Sequence, residues 1–261
     1  MMNYKRETLN LSNGKAELIY IQTSPENTLT KENLKEFEEI LADIKKNDTI
    51  KGAIISSENP KFFCNGLDGD TLLSKQGDDL FQQVISICRF FKPLLEFDKP
   101  LVAEVTGHAM GGGAVITMGS DYKYMLDSGC RISFSEVLVG LPLPAIFVYR
   151  LQESVHPNKI NEICMEATAY KGKEAKEVGM IDEVTATREE LRKLSTKKLD
   201  SIFRLPLIGV RLTKQNVNKK SIFQFDENLK ETEQIIKIPG ILANLREGML
   251  AVKEKRRPVY K

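Results

Sequence analysis

Residues 99–144 read KPLVAEVTGHAMGGGAVITMGSDYKYMLDSGCRISFSEVLVGLPLP, and this segment combines most of the patterns from which the fold can be predicted. It begins with a β-rich apolar run, Leu101–Val105, and continues into three consecutive glycines, Gly111–Gly113. The apolar residues Ala114–Met118 that follow predict a buried helix. A strand that leads through a Gly-rich turn to a helix N-terminus presents free backbone N–H groups and the positive end of the helix dipole. The sequence therefore predicts a corner that stabilises an anion.

One carboxylate, that of Glu136, follows a second predicted strand in this stretch. The strand covers Arg131–Phe134, and the Pro-bracketed loop Gly140–Pro144 comes after the glutamate. From position alone, a surface carboxylate or a helix-start acid is the commoner interpretation of such a residue. Next to an anion-stabilising corner, however, a single carboxylate can act as a general acid or base. Glu136 is therefore the candidate catalytic residue.

Composition limits the classes of protein to consider. The 261 residues carry a formal net charge of +2, from 38 Lys and Arg against 36 Asp and Glu. Such a balance produces no overall field that would favour nucleic acid or a membrane as the main partner. The four cysteines are widely spaced, without a CxxC motif, which is typical of reduced cysteines in a cytosolic protein.

Targeting signals are missing from the residues at both ends. The first twelve residues, MMNYKRETLNLS, contain no apolar signal-peptide region, and no window approaches eighteen apolar residues. The last three residues, Val259-Tyr260-Lys261, differ from the peroxisomal tripeptide. We therefore expect a soluble, cytoplasmic protein.

Local patterns before residue 58 alternate between strand and helix. Residues 4–22 predict two strands around the turn Ser12–Gly14. Thr30 is a suitable N-cap for an amphipathic helix that ends near Lys46. The run Gly52–Ser57 then predicts a short buried strand. This alternation favours an α/β domain.

The next segments are less regular. Phe62-Phe63 starts a strand that opens into a loop, Cys64–Asp70. Residues 71–79 are rich in polar side chains and predict a mobile segment. An amphipathic helix follows from Leu80 to Phe91, and Pro93 predicts that this helix kinks or ends there.

Everything after Thr187 has helical spacing and no strand pattern. Four helices are predicted, over Glu189–Arg204, Leu207–Asn218, Phe223–Ile238 and Leu242–Lys255. A small helical segment cannot cover all of its own apolar positions, which predicts association with other copies. The positions in question are Ile202, Phe203, Val210, Leu212, Ile235, Ile236 and Leu242.

Three motifs together resemble the crotonase, or enoyl-CoA hydratase/isomerase, superfamily: FFCNGLD (62–68), TGHAMGGG (106–113) and SEVLVGLPLP (135–144). The resemblance extends from about residue 4 to the RRPVYK tail, and the ordered set is far more specific than a triple glycine alone. It implies an α/β fold made of a spiral of β-β-α units, with a core over residues 1–186. Residues 187–261 would form a helical trimerisation region, which implies a homotrimer or a dimer of trimers.

The resemblance also implies a set of site residues and an acyl-CoA substrate. Glu136 would carry the proton, and the backbone N–H groups of Leu67 and Gly112 would stabilise an enolate oxygen. No metal or separate cofactor is implied, because coenzyme A is part of the substrate. The residues expected to bind the substrate are Asn65, Gly66, Asp68, Gly111 and Leu143.

Val115 departs from the pattern of the hydratases in this superfamily. They carry a glutamate two residues after the triple glycine, and it works with the later glutamate to activate water. Valine can neither orient nor deprotonate water. The chain therefore resembles the Δ3,Δ2-enoyl-CoA isomerase branch, which keeps only the later glutamate and moves a double bond from 3-enoyl-CoA to 2-enoyl-CoA.

Other candidates have commoner structural interpretations. His108 is expected to be a satisfied core residue, and Asp68 an acid that stabilises its loop. Two other functions stay open: a hydratase or dehydratase of CoA-linked or carrier-protein-linked enoyl thioesters, and a catalytically silent crotonase-fold binding protein. The retained glutamate and glycines, and the lack of a basic stripe, disfavour the silent protein.

Overall fold

Two β-sheets form the framework of the computed structural model, which describes residues 3–260. A six-stranded sheet has the order β1-β2-β3-β5-β7-β10, and a four-stranded sheet has the order β4-β6-β8-β9. The strands are β1 (Tyr4–Leu11), β2 (Gly14–Ile21), β3 (Ile50–Ser56), β4 (Phe62–Cys64), β5 (Leu101–Val105), β6 (His108–Met110), β7 (Tyr122–Leu126), β8 (Arg131–Ser133), β9 (Tyr170–Lys171) and β10 (Glu183–Thr185).

Ten α-helices of the described chain pack around these sheets. They are α1 (Lys31–Lys46), α2 (Gly69–Ser74), α3 (Gly77–Glu96), α4 (Gly112–Met118), α5 (Ala145–Gln152), α6 (Ile160–Met165), α7 (Gly172–Glu177), α8 (Arg188–Ile202), α9 (Leu207–Ile236) and α10 (Ile241–Glu254). A short 3-10 turn, Glu136–Val139, lies between β8 and α5.

Consecutive strands alternate between the two sheets. The pairs β3 and β4, β5 and β6, and β7 and β8 each place their first strand in the large sheet and their second in the small one. A helix follows each pair in the chain, namely α2, α4 and α5. Strands β3, β5 and β7 pair in parallel, and so do β4, β6 and β8. The predicted spiral of β-β-α units is therefore confirmed.

The large sheet is buried on both faces. On β2, Ala16 and Leu18 belong to a small apolar cluster with residues of α8, whereas Ile19 and Ile21 face the main core beneath α1 and α3. Burial on both sides explains why β2, β3 and β5 are apolar runs instead of strict alternations.

Helix α1 shows how local sequence determines its own limits. The Thr30 side chain accepts a hydrogen bond from the Asn33 N–H, and the Asn33 side chain accepts one from the Thr30 N–H. This reciprocal pair satisfies two of the N–H groups that a helix start leaves without partners. The predicted span from Thr30 to about Lys46 is confirmed.

Of the two outcomes predicted for Pro93, an end of the helix there is wrong, and a kink stays a prediction. Helix α3 continues through this proline to Glu96, and Leu94 and Leu95 of its last turn are buried in the core. A proline inside a helix costs roughly 3 kcal/mol. Burying one leucine side chain contributes about 1.5–3 kcal/mol, so two of them offset the penalty.

Three further segments differ from the sequence prediction. The polar segment 71–79 contains the end of α2 and the start of α3, because the Asp68 side chain caps α2. The two helices predicted over Leu207–Asn218 and Phe223–Ile238 are the single helix α9, since neither Gly nor Pro occurs between Gly209 and Pro239. Strands β6 and β7 have no counterpart in the prediction.

The helices after residue 187 pack against the preceding part of the same chain. Helix α9 contacts α3 and α5, and α10 contacts α2 and the 3-10 turn. The division of the chain at residue 187 and the trimerisation role of the later part stay predictions. None of the described helices has the length and apolar character needed to cross a membrane.

Replacing Thr30 by alanine removes the side-chain acceptor at the start of α1. We expect Thr30→Ala to lower the free energy of unfolding by about 1 kcal/mol, the usual cost of losing an N-cap. Urea denaturation measures this change. The control is Lys35→Ala on the exposed face of the same helix, which is expected to stay within about 0.5 kcal/mol of wild type. Equal losses for both variants would contradict the capping role.

Candidate active site

Three neighbouring strands of the small sheet end at the same place. Strands β4, β6 and β8 lie side by side in parallel, so their carboxyl ends share one edge. The segment Asn65–Leu67 follows β4, Gly111 follows β6, and Glu136 comes three residues after β8. Residues that are far apart in the sequence therefore meet at this edge, because each of them lies just beyond the end of a parallel strand.

The backbone N–H groups of Leu67 and Gly112 are both free to bind a ligand. Around Leu67, the Leu29 N–H donates to the Gly66 carbonyl over 2.7 Å, and the Asp68 N–H donates to the Leu29 carbonyl over 2.8 Å. This pairing holds the loop and leaves out the Leu67 N–H. Gly112 is the first residue of α4 and has no earlier helical carbonyl as a partner. Within residues 3–260, neither N–H donates to a backbone or side-chain acceptor.

Glycine is required where the two loops meet. A Cβ on Gly66 would lie 2.9 Å from the Met110 carbonyl oxygen and 3.3 Å from the Gly112 nitrogen. A Cβ on Gly113 would lie 2.2 Å from the Cys64 carbonyl oxygen. Gly111 has φ +49° and ψ −111°, which side chains other than that of glycine rarely adopt. The loop after β4 can therefore lie directly against the start of α4.

The carboxylate of Glu136 lies beside this pair of loops. A Cβ on Gly111 would be 3.7 Å from Glu136 Oε1 and 3.5 Å from Ser135 Oγ. The residue as a whole is partly exposed, but its Oε2 atom is enclosed and has no hydrogen-bond partner in the described chain. Burial raises the pKa of Glu136 from its ordinary 4.5 to about 7, against a smaller lowering by its own backbone N–H. A carboxylate with this pKa can accept and return a proton near neutral pH.

These groups open into one cavity of about 630 Å³. Most of the predicted site residues line it together: Asn65, Gly66, Leu67, Asp68, Gly111, Gly112 and Glu136. The remaining wall is mainly apolar and comes from α3, the loop after the 3-10 turn, α5, the end of α9 and α10; its residues include Val84, Ile87, Leu141, Phe147, Ile236, Leu245 and Met249. The cavity therefore combines a polar end, which holds the carboxylate and the amides, with an apolar interior.

Two of the predicted substrate-binding side chains already have partners. The Asn65 side chain donates to Glu26 over 2.8 Å. Asp68 accepts hydrogen bonds from the Thr71 N–H over 2.8 Å and from the Thr28 hydroxyl over 2.7 Å. Asp68 thus stabilises its loop and caps α2, which is the structural role that the sequence favoured.

Leu143 is the predicted site residue that does not line this cavity, and its role in substrate binding stays a prediction. Its side chain packs against the apolar core, while Leu141, Pro142 and Pro144 line the cavity. The Pro-bracketed loop runs along the cavity wall, so only part of it faces the interior. Sequence motifs identify such a loop but not the direction of each side chain.

His108 and Val115 also lie outside the cavity wall. The Nδ1 atom of His108 accepts a hydrogen bond from the Arg131 N–H over 3.2 Å. Burial, with help from Lys61 and Arg131, lowers the pKa of His108. Val115 is completely buried in α4. Neither residue contributes an acid or base to the cavity.

The sequence interpretation missed the contribution of α10. Leu245, Met249, Val252 and Lys253 of this helix line the cavity, together with Ile236 at the end of α9. The local signal for this contribution is the apolar spacing within residues 242–255, which by itself indicates a helix and not the cavity that the helix lines. No group of three or more His, Cys, Asp and Glu side chains among residues 3–260 could hold a metal ion.

Comparison with known proteins agrees with this geometry. The family model described as enoyl-CoA hydratase/isomerase matches residues 13–261. Human mitochondrial methylglutaconyl-CoA hydratase is 26% identical over 238 residues, which cover 90% of this chain and 70% of that protein. Peroxisomal enoyl-CoA delta isomerase 2 of Arabidopsis thaliana is 29% identical over 157 residues, which cover 58% of this chain and 65% of that protein.

A solved structure shows the same fold. The crystal structure of human mitochondrial delta3-delta2-enoyl-CoA isomerase superposes with a TM-score of 0.87, covering 97% of this chain and 99% of that chain. The sequences share 19% identity, so the likeness concerns the fold. The relatives named here include both a hydratase and isomerases, and the choice between the two reactions depends on residues of the site.

The raised pKa of Glu136 predicts a pH-dependent stability. Because the folded state favours the protonated carboxyl, the penalty on folding is absent below about pH 4.5, grows up to about pH 7 and is complete above it. At pH 8 we expect the free energy of unfolding of Glu136→Gln to exceed that of wild type by on the order of 3 kcal/mol. Urea denaturation between pH 5 and pH 8 measures the difference.

The control for this experiment is Glu39→Gln on the exposed face of α1. The difference between its free energy of unfolding and that of wild type is expected to stay constant across the same pH range. A constant difference for Glu136→Gln would contradict burial as the cause of the raised pKa.

Proposed function

The chain belongs to the enoyl-CoA hydratase/isomerase family, and on that premise we propose that it isomerises 3-enoyl-CoA to 2-enoyl-CoA. Glu136 takes a proton from C2 of the acyl group and becomes neutral. The electrons of the broken C–H bond delocalise through the thioester and the double bond to give a dienolate. Glu136 then returns its proton at C4, and the double bond comes to lie between C2 and C3.

The negative charge of the dienolate develops on the thioester oxygen. The N–H groups of Leu67 and Gly112 are unoccupied and lie at loops that are in direct contact, so they can donate to this oxygen together. Losing one such donor typically costs about 2.7–4 kcal/mol of transition-state stabilisation. The reaction involves no net oxidation or reduction, and the proposal therefore needs no metal or redox cofactor beside the CoA of the substrate.

One observation carries the choice of isomerisation: Glu136 is the one enclosed carboxylate among the described residues that line the cavity. Of the other three, Asp68 caps α2, Glu26 accepts from Asn65, and Asp70 is paired with Lys253 at an exposed position. Val115 stands where family hydratases have their second glutamate, and it is buried away from the cavity. A single proton carrier suffices for a shift between two carbons, whereas adding water needs a second group to orient it.

The pKa of about 7 suits this role. A base with an ordinary glutamate pKa would hold the C2 proton weakly and release it to water. A pKa near the working pH balances the fraction of ionised base against its strength. The same enclosure that raises the pKa of Glu136 also strengthens the two amide hydrogen bonds to the dienolate.

Hydration is the alternative that the comparisons favour, because a relative that covers 90% of this chain is named as a hydratase. Water would then have to be positioned by Glu136 alone. The two reactions give different products from different starting thioesters, so one experiment separates them.

Purified protein is expected to convert 3-enoyl-CoA to the conjugated 2-enoyl-CoA clearly faster than it hydrates crotonyl-CoA. Isomerisation is measured by the rise in absorbance as the conjugated thioester forms, and hydration by the fall in absorbance as it is consumed. The reason is the lack of a second carboxylate to orient water. Hydration that matches or exceeds isomerisation would refute the proposed activity and favour the hydratase alternative.

The Glu136→Gln variant tests the proton carrier in the same assay. We expect turnover to fall by about 10⁴-fold, the upper end for a general acid–base group, because no other carrier is available. Product affinity is expected to change little, since the amides and the apolar wall remain. Glu39→Gln is again the matched control. If Glu136→Gln keeps more than about a tenth of the turnover, Glu136 is not the base, and Asp68 and Asp70 of the same cavity become the next candidates.

We also propose a homotrimer or a dimer of trimers in the cytoplasm. Of the seven apolar positions that suggested association, Phe203 and Ile236 are buried within the chain itself. Other apolar residues of α9 support the proposal. Ile208, Leu212 and Phe223 are more than half exposed, and their spacings of four and eleven residues place them on one face of the helix.

Light scattering at micromolar concentration is expected to give a mass of three or six chains. Leu212→Asp is expected to shift the mass towards smaller species, because a charge in a shared apolar face is costly. The control is Gln224→Asp, at an exposed position of the same helix that lies about 120° around the helix axis from Leu212. A monomeric wild-type protein would contradict the proposal.

A further inference from the structure

Helix α10 lies against the turn that carries Glu136. A Cβ on Gly248 would lie 2.6 Å from Val139 Cα and 2.7 Å from the Val139 carbonyl oxygen. A Cβ on Gly140, at the other end of the turn, would lie 2.9 Å from the Asn244 carbonyl carbon. Two glycines therefore allow the backbone of the turn to contact the backbone of the helix. Contacts between backbones leave little freedom for either to shift alone.

The same helix contacts the other half of the site. Helix α2 begins two residues after Leu67, and a Cβ on its first residue, Gly69, would lie 2.7 Å from the Met249 methyl group. The Lys253 ammonium pairs with Asp70 over 2.7 Å. The ion pair is exposed and contributes little by itself, but it lies on the side of α10 that faces α2. Helix α10 thus touches both the carboxylate turn and the segment that follows the amide loop.

The residues after α10 also contact the turn Glu136–Val139. The Tyr260 hydroxyl donates to the Leu138 carbonyl over 2.5 Å. The tail that carries Tyr260 is fixed to α10, because the Val259 N–H donates to Glu247 over 2.8 Å and Arg256 pairs with the same carboxylate. The turn Glu136–Val139 therefore contacts both α10 and the tail.

We propose that α10 and its tail form a clamp that positions Glu136 against the amide pair, and that Gly248 and Tyr260 are positioning residues of this clamp. The inference rests on the proposed role of Glu136 as the proton carrier. The clamp makes no contact with the reacting atoms. It fixes the distance between the base on one loop and the donors on another, two groups that no hydrogen bond in the described chain connects directly.

The size of the effect follows from the contact distances. Non-bonded carbon atoms pack at about 3.5–4.0 Å, so an alanine at position 248 must separate the turn from α10 by roughly 1 Å. Misplacing a catalytic group by about 1 Å can cost on the order of 10²-fold in rate. The same substitution leaves the apolar wall formed by Leu245 and Met249 in place.

The first test compares Gly248→Ala with Gly209→Ala in the isomerase assay. We expect Gly248→Ala to lower kcat by about 10²-fold with little change in KM. Gly209 in α9 is the matched control, because a Cβ there meets no heavy atom within 4 Å. Its kcat and KM are expected to equal those of wild type. An unchanged kcat in Gly248→Ala, or an equal loss in both variants, would overturn the proposal.

Tyr260→Phe provides a second variant that removes one hydrogen bond and no packing. We expect a three- to tenfold fall in kcat at constant KM, about the value of one hydrogen bond. If Gly248→Ala fails to fold, Tyr260→Phe tests the proposal alone. A wild-type kcat in Tyr260→Phe would then overturn the clamp.

A readout without turnover separates this inference from the proposed function. Carbon-13 NMR of labelled glutamate side chains, with Glu136→Gln for assignment, follows the titration of Glu136 directly. We expect its pKa to fall from about 7 towards the ordinary glutamate value in Gly248→Ala, because a displaced turn admits water to the carboxylate. This holds even if wild type fails to isomerise 3-enoyl-CoA, a result that would refute only the proposed function. An unchanged titration in the variant would refute the clamp.

Discussion

Contact between two backbones at the ends of β4 and β6 is the constraint on which the site depends. The loop after β4 lies against the first turn of α4, and no Cβ fits between Cys64 and Gly113. Because this contact uses only backbone atoms, the orientation of two N–H groups is fixed by the sheet rather than by flexible side chains. The parallel order β4-β6-β8 then brings Glu136 to the same edge. The preorganised N–H groups of Leu67 and Gly112 thus depend together on the glycines at the contact, on the order of the strands and on the short loops that follow them.

Enclosure gives the single carboxylate its chemistry. A glutamate in water is a weak base, and one with an enclosed oxygen that has no hydrogen-bond partner is a stronger base, which the folded chain tolerates at a cost. The fold offsets this cost with a large apolar cluster on one face of the six-stranded sheet and a smaller one on the other. A fold with a smaller core could not retain an ionisable group in this state, because one such group uses a large fraction of the net stability of a domain.

Sequence patterns predicted the local features of the fold well. The capping pair at Thr30 and Asn33 is encoded within four residues, so the limits of α1 could be predicted. Leu67, Gly112 and Glu136 could be assigned to one site because the three motifs that carry them resemble those of one family. An end of the helix at Pro93 was a wrong prediction, since burial of neighbouring leucines decides whether a helix continues. The contact between Gly248 and Val139 joins positions 109 residues apart, and no local pattern reports such a contact.

The lining of the cavity by α10 has a consequence for biosynthesis. The strands of both sheets are complete by residue 185, but the main core and the wall of the cavity still lack residues of α9 and α10, such as Phe225, Ile236 and Leu245. Because α10 is synthesised after every strand, the nascent chain makes its sheet framework before it can complete either the core or the site. Truncation before residue 242 would therefore remove Leu245 from the main core together with one wall of the cavity. The codons of α10 are thus constrained by folding and by the site at once.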